Sequence, residues 1–181
     1  MKHSIAQQNQ YLRNLGFRFH TANLVQRRNA IKTFQALVGI TPDGKYGPAT
    51  TIQMNHVNQS GGMVSDHFKF SEFACKCPGY AGCPGIKLDP DLVTVAEKVR
   101  ELYYEDGMKI VSAYRCPTHN KRVGGAKNSQ HVQGKAADIE ARIKHTEFWP
   151  AKIRGLGYNA SNKKVRHIDV RDGKRVKWIY G

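Results

Sequence analysis

The sequence predicts an α+β fold, with a small three-helix amino-terminal module followed by a mixed α+β domain on a central antiparallel sheet. Apolar residues recur at helical spacing three times before residue 58, and from Met108 onward short β-type runs are interleaved with helical spacing. A polar, glycine-bearing stretch, Asn58-Gln-Ser-Gly-Gly62, separates the two patterns. The expected organisation is a module over 1–58, a linker over 59–67 and a second domain over 68–181.

The elements follow in order. Ile5, Gln8, Tyr11, Leu12 and Leu15 share a helical face that stops at Gly16, a residue suited to a helix C′ position. Leu24, Ala30, Ile31, Phe34 and Leu37 form a second face ending at Gly39. Pro42, Asp43, Gly44, Gly47 and Pro48 then enforce tight turns, and a third short helix starts at Pro48. After the linker, Phe68 to Phe73 leads into Cys75-Lys-Cys77 and Cys83. From Pro90 an amphipathic helix places Leu92, Val95, Ala96, Val99, Leu102 and Tyr103 on one face. Met108 to Tyr114 reads as a strand, Arg115 to Asn120 with Gly124-Gly125 as a long loop, and Ala136 to Ala141 as a short buried strand. Thr146 to Gly155 has helical character, Val165 to Arg171 alternates as a strand, and Val176 to Tyr180 closes the chain.

Composition narrows the function classes. Of 181 residues 40% are hydrophobic, which is too many for a disordered chain. No apolar run approaches the roughly 18 to 20 residues of a membrane helix, so a transmembrane protein is excluded. The amino end has no continuous apolar segment, so no cleaved signal peptide is expected and the chain should be made in a cytoplasm. Lys and Arg number 29 against 14 Asp and Glu, a formal net charge of +15, which favours a polyanionic partner. Nucleic acid, bacterial wall and anionic outer-membrane lipid all satisfy that charge. The stretch Lys144 to Lys177, with ten basic and three acidic residues, is either a solvated face or a steering surface for such a partner.

The segment Ser129-Gln-His131-Val-Gln-Gly134-Lys-Ala-Ala-Asp138-Ile139 carries the chemistry. Histidine offers a neutral imidazole nitrogen and aspartate a hard oxygen, both good zinc ligands. Gly134 lets the backbone turn between them, and Ala136 and Ala137 allow close packing beside Asp138. Alternation along Val165-Arg-His167-Ile-Asp169-Val170 puts Val165, His167 and Asp169 on one face, so His167 can supply a third ligand. Asp169 lies two residues along, within range of a metal-bound water. Two histidines and one carboxylate leave an open fourth position, the pattern of a catalytic zinc ion.

Two resemblances add to this reading. Ala30-Ile-Lys-Thr-Phe-Gln35, Gly39-Ile40, Asp43-Gly44 and Gly47-Pro48-Ala-Thr50 resemble the peptidoglycan-binding domain of wall hydrolases, which implies a glycan site near the turn from Asp43 to Tyr46. The Ser129–Ile139 segment, preceded by Ser112-Ala-Tyr-Arg-Cys-Pro-Thr-His-Asn120 and Val123-Gly-Gly-Ala-Lys-Asn-Ser129, resembles the D-alanyl-D-alanine metallopeptidases over about residues 68 to 172. That family includes D,D-carboxypeptidases and phage endolysins cutting the L-alanyl-D-glutamate bond. The resemblance implies zinc on His131, Asp138 and His167, with Arg115 binding a substrate carboxylate or steadying the oxyanion and Ser129 in the substrate site. Several members carry a catalytic carboxylate where Lys164 stands here, so Asp169 is the expected base, with orientation of His167 or pairing with Arg171 as its alternative roles. His119 is read as a loop-stabilising residue.

The expectation is therefore an endolysin-like peptidoglycan hydrolase, monomeric, without a nucleic-acid partner, accumulating in a host cytoplasm and reaching the wall after membrane permeabilisation. A D,D-carboxypeptidase and a non-catalytic wall-binding protein are the alternatives. Cys75, Cys77, Cys83 and Cys116 are open to two disulfides, a second metal site, or neither.

Overall fold

A computed structural model describes residues 2–103, 108–140, 151–162 and 164–180. Helices α1 (Ile5–Asn14), α2 (Leu24–Leu37) and α3 (Pro48–Gln59) occupy the amino-terminal third. Each start follows from its sequence. Ser4 caps α1 in a reciprocal box with Gln7, the Asn23 side chain caps α2 through the Gln26 N–H, and Pro48 opens α3 at a position where the missing N–H costs nothing. The buried faces are narrower than the periodicity predicts, because Ile5 and Leu24 are exposed while Leu12, Ile31 and Phe34 are fully buried.

A 3₁₀ turn at Phe70–Phe73 leads to α4 (Pro90–Tyr103), whose Leu92, Val95, Ala96 and Val99 enter the core. Among the described residues five strands follow: β1 (Lys109–Ser112), β2 (Ala136–Glu140), β3 (Gly155–Asn159), β4 (Val165–Asp169) and β5 (Val176–Tyr180). Their order is β1-β2-β4-β3-β5. The first three pairings are antiparallel, but β5 runs parallel to β3, so the sheet is mixed rather than the expected antiparallel one. Two short helices, α5 (Pro117–Arg122) and α6 (Gln130–Gln133), lie between β1 and β2. The sequence reading gives the first as loop; Pro117 at its first turn, after Cys116 as N-cap, explains the helix. The helix expected over 146–155 falls mostly outside the described residues; Ala151 and Lys152 lie in a turn and Gly155 begins β3.

One contiguous apolar cluster runs from Leu12 to Val170. Phe70, from the turn after α3, packs onto the amino-terminal part of that cluster: its ring stacks on Phe34 of α2 at a centroid distance of 5.9 Å and lies 6.3 Å from Phe17. The stretch after α3 turns back tightly, with the Phe70 N–H donating to the Gly62 carbonyl at 3.0 Å. Because Phe70 is fully buried, F70A should lower unfolding free energy by about 3–5 kcal/mol, read from urea denaturation. A loss under about 1 kcal/mol would mean that the ring does not hold the helices to the rest. No helix among the described residues is long and apolar enough to cross a membrane.

Candidate metal centre

Strand register sets the first two ligands. Asp138 of β2 and His167 of β4 are direct cross-strand partners, so their side chains leave the same face of the sheet side by side. His131 arrives from α6. Ser129 caps that helix by accepting the His131 N–H at 3.3 Å, and Gly134 closes it in the left-handed conformation with φ 76°. A Cβ at Gly134 would also meet the Lys87 carbonyl oxygen at 2.3 Å, so this turn requires glycine twice over.

Three atoms converge. His131 Nε2 lies 3.3 Å from His167 Nδ1 and 3.2 Å from Asp138 Oδ1, and His167 Nδ1 lies 2.9 Å from Asp138 Oδ1. The remaining ring nitrogens fix the tautomers. His131 Nδ1 donates to the Ala113 carbonyl at 2.7 Å, and His167 Nε2 donates to Asp169 Oδ2 at 3.2 Å. Both inward-facing nitrogens therefore present lone pairs to each other and to a carboxylate oxygen, an arrangement that a cation completes. Donors on a tetrahedral zinc ion with bonds of about 2.0 Å are separated by about 3.3 Å, close to all three edges of this triangle. The donor set fits zinc.

The electrostatics agree. Burial pushes the Asp138 carboxyl up, but the adjoining His131 and His167 rings, when protonated, outweigh it and hold the group well below the usual carboxylate range. Burial lowers His167, yet Asp138 and Asp169 on either side raise it overall. Zinc must displace that proton, so its affinity should fall by about tenfold per pH unit once pH drops below the raised imidazole pKa, which lies above the ordinary value of about 6.5. Isothermal titration at several pH values checks this; an affinity flat from pH 8 to pH 5 would contradict it.

Asp169 is fully buried and both its oxygens are engaged. Oδ1 accepts from Arg171 N at 3.2 Å and Nε at 2.8 Å, while Oδ2 accepts from His167 Nε2, Arg171 Nε and Arg171 Nη2. Burial pushes this carboxyl up, but Arg171 and His167 hold it down, to about 2. Asp169 thus lies against the back of His167, between that ring and Arg171.

Arg115 brings its Nη2 to 3.0 Å from Asp138 Oδ2, and its N–H donates to the His131 carbonyl at 3.1 Å. Lys164 directly precedes β4; its N–H donates to Asn162 Oδ1 at 3.0 Å and its carbonyl accepts from the Asn159 N–H at 3.0 Å. Asp43 and Tyr46 engage the amino-terminal helices instead. Gln35 donates to Asp43 Oδ1 at 2.8 Å, and Tyr46 Oη is 3.1 Å from His3 Nδ1.

Other residues that shape the centre escape the sequence reading. Gly155 and Gly157 of β3 stand opposite Asp169 and His167. A Cβ at Gly155 would lie 2.0 Å from Asp169 Oδ2, and one at Gly157 would lie 2.6 Å from the Tyr180 ring. The Trp178 ring sits 5.0 Å from His167, with the Arg171 guanidinium 5.4 Å above it. Small residues on the neighbouring strand were the available signal, but β3 is recognisable as a neighbour only once the sheet order is known.

Comparison with known proteins agrees with this geometry. Over 117 residues the chain is 28% identical to the zinc D-Ala-D-Ala carboxypeptidase of Streptomyces albus G, a match covering 62% of this chain and 46% of that protein. The chain thus spans about half the length of the curated relative it matches. A family model described as peptidase M15 matches residues 66–169, a span that contains Arg115, His131, Asp138, His167 and Asp169. With more than half its length in that match and a donor triangle that fits zinc, the chain belongs to the peptidase M15 family and its metal is zinc.

Proposed function

We propose that this protein is a peptidoglycan hydrolase of the endolysin type that cleaves a stem-peptide bond, L-Ala-D-Glu, and that its three amino-terminal helices bind the wall. The carrying observation is the convergence of His131 Nε2, Asp138 Oδ1 and His167 Nδ1, with no fourth protein donor in the group among the described residues. Zinc held there supplies a Lewis acid that lowers the pKa of water and polarises a peptide carbonyl. The chain's own residues do the rest. Arg115 places a permanent positive charge beside the triad, suited to an oxyanion or a substrate carboxylate. Asp169, clamped by Arg171, is a positioning residue that fixes the His167 tautomer.

An internal stem-peptide bond suits the surroundings. Asp138, Glu140, Asn159, Arg166 and Tyr180 line an open cavity of about 470 Å³ beside the triad, which supports a peptide that extends past the cleaved bond. The turn from Asp43 to Tyr46 remains the proposed wall contact, and the +15 charge favours the anionic wall. Synthesis in a host cytoplasm, with access to the wall after membrane permeabilisation, completes the reading. The named activity of the Streptomyces relative favours a second reading, trimming of a terminal D-Ala.

Incubation with purified peptidoglycan, with chelator and with zinc restored, separates these readings through the termini found by mass spectrometry. A new amino terminus on D-Glu is expected. Released D-Ala would replace the first reading by the second, and wall binding without zinc-dependent cleavage would overturn both.

A further inference from the structure

A second cluster lies outside the peptidase centre. Cys75, Cys77, Cys83 and Cys116 are all buried and unpaired, and their four sulfurs lie within 4.8 Å of one another. We propose that these four cysteines hold a second, structural zinc ion as thiolates, binding three chain segments together behind the peptidase centre. The sulfurs form one group rather than two pairs: Cys77 contacts both Cys75 and Cys83, and Cys83 also contacts Cys116. Sulfurs on a tetrahedral zinc ion with bonds of about 2.3 Å are about 3.8 Å apart, which this group satisfies without rearrangement of its segments.

The surroundings are built for negative charge on sulfur. Backbone N–H groups of Gly79 and Tyr80 donate to Cys77, that of Gly85 to Cys83, and those of Cys77 and Cys116 to Cys75. The Arg18 guanidinium, from the segment between α1 and α2, points its Nη1 at Cys77 Sγ at 3.0 Å and at Cys83 Sγ at 3.9 Å. Four thiolates on a divalent ion carry a net charge of about −2, which a guanidinium partly offsets. Two disulfides would leave that guanidinium against neutral sulfur. His119 Nδ1 lies 3.3 Å from Cys75 Sγ, so this histidine belongs to the cysteine cluster and not to the peptidase triad.

The position gives the ion a task. Cys116 caps α5 and directly follows Arg115, the residue that touches Asp138. Cys75 to Cys83 form the loop after the 3₁₀ turn, and Arg18 ties that loop to the amino-terminal helices. Binding releases the thiol protons to solvent and needs no oxidant.

The test counts zinc in the full chain, purified without chelator and freed of small thiols. Elemental analysis should find two zinc ions per chain, and one in H167A, released only by a mercurial thiol reagent. Cobalt taken up by H167A should show a sulfur-to-metal charge-transfer band in the near ultraviolet. No zinc in H167A with four titratable thiols, or with sulfurs lost to disulfides, would overturn the proposal, as would iron in place of zinc. The count does not depend on whether the protein cleaves peptidoglycan, so the two readings fail separately.

Discussion

Substitution of His167 by alanine is expected to abolish zinc binding at the peptidase centre and to lower kcat/KM by at least about 10³-fold. His167 contributes one of three donors, and Asp138 loses the partner that stands opposite it across β2 and β4. Two ligands cannot hold a tetrahedral ion against water, so the loss cannot be confined to geometry. The ring is buried against Trp178, Asp138 and Asp169, and it is not a member of the apolar cluster. H167A should therefore fold, with circular dichroism like that of the parent. Retention of full activity with zinc still bound at this centre would remove the triad from the account.

The second large effect is expected at Asp169, where the type of loss decides the role. Asp169→Asn keeps the shape but weakens the acceptor for His167 Nε2–H and the partner of Arg171. Zinc affinity should fall about 10- to 100-fold, as for other carboxylates behind metal-bound histidines, and saturating zinc should restore most of kcat. The conservative Asp169→Glu should not rescue, because Gly155 backs the carboxylate closely and leaves no room for an added methylene. A base would behave in the opposite way, with zinc retained and kcat low at every zinc concentration. A titration of activity against free zinc separates the outcomes.

These residues also show how far the sequence could be read. His131, Asp138 and His167 were legible because the spacing His-x₆-Asp and the alternation of β4 are local properties. The first three helices were legible because apolar spacing ended at Gly16 and Gly39 and Pro48 opened the third, whereas the caps Ser4 and Asn23 were seen only in the structure. Strand order was not, since nothing local in Val176–Tyr180 announces that it lies parallel to β3 and brings Trp178 onto His167. The role of Asp169 was open for the same reason. Its face was predictable, but engagement of both oxygens by Arg171 and His167 is a matter of side-chain geometry. The cysteines gave spacing alone, and Arg18, far earlier in sequence, became relevant only when folding brought it to the sulfurs.

The most direct measurement is a crystal structure of the zinc-loaded protein with anomalous data collected on both sides of the zinc edge. The account predicts a peak coordinated by His131 Nε2, Asp138 Oδ1 and His167 Nδ1, with His167 Nε2 still bonded to Asp169. A peak bound through His167 Nε2, or none at this triangle in crystals soaked with zinc, would contradict it.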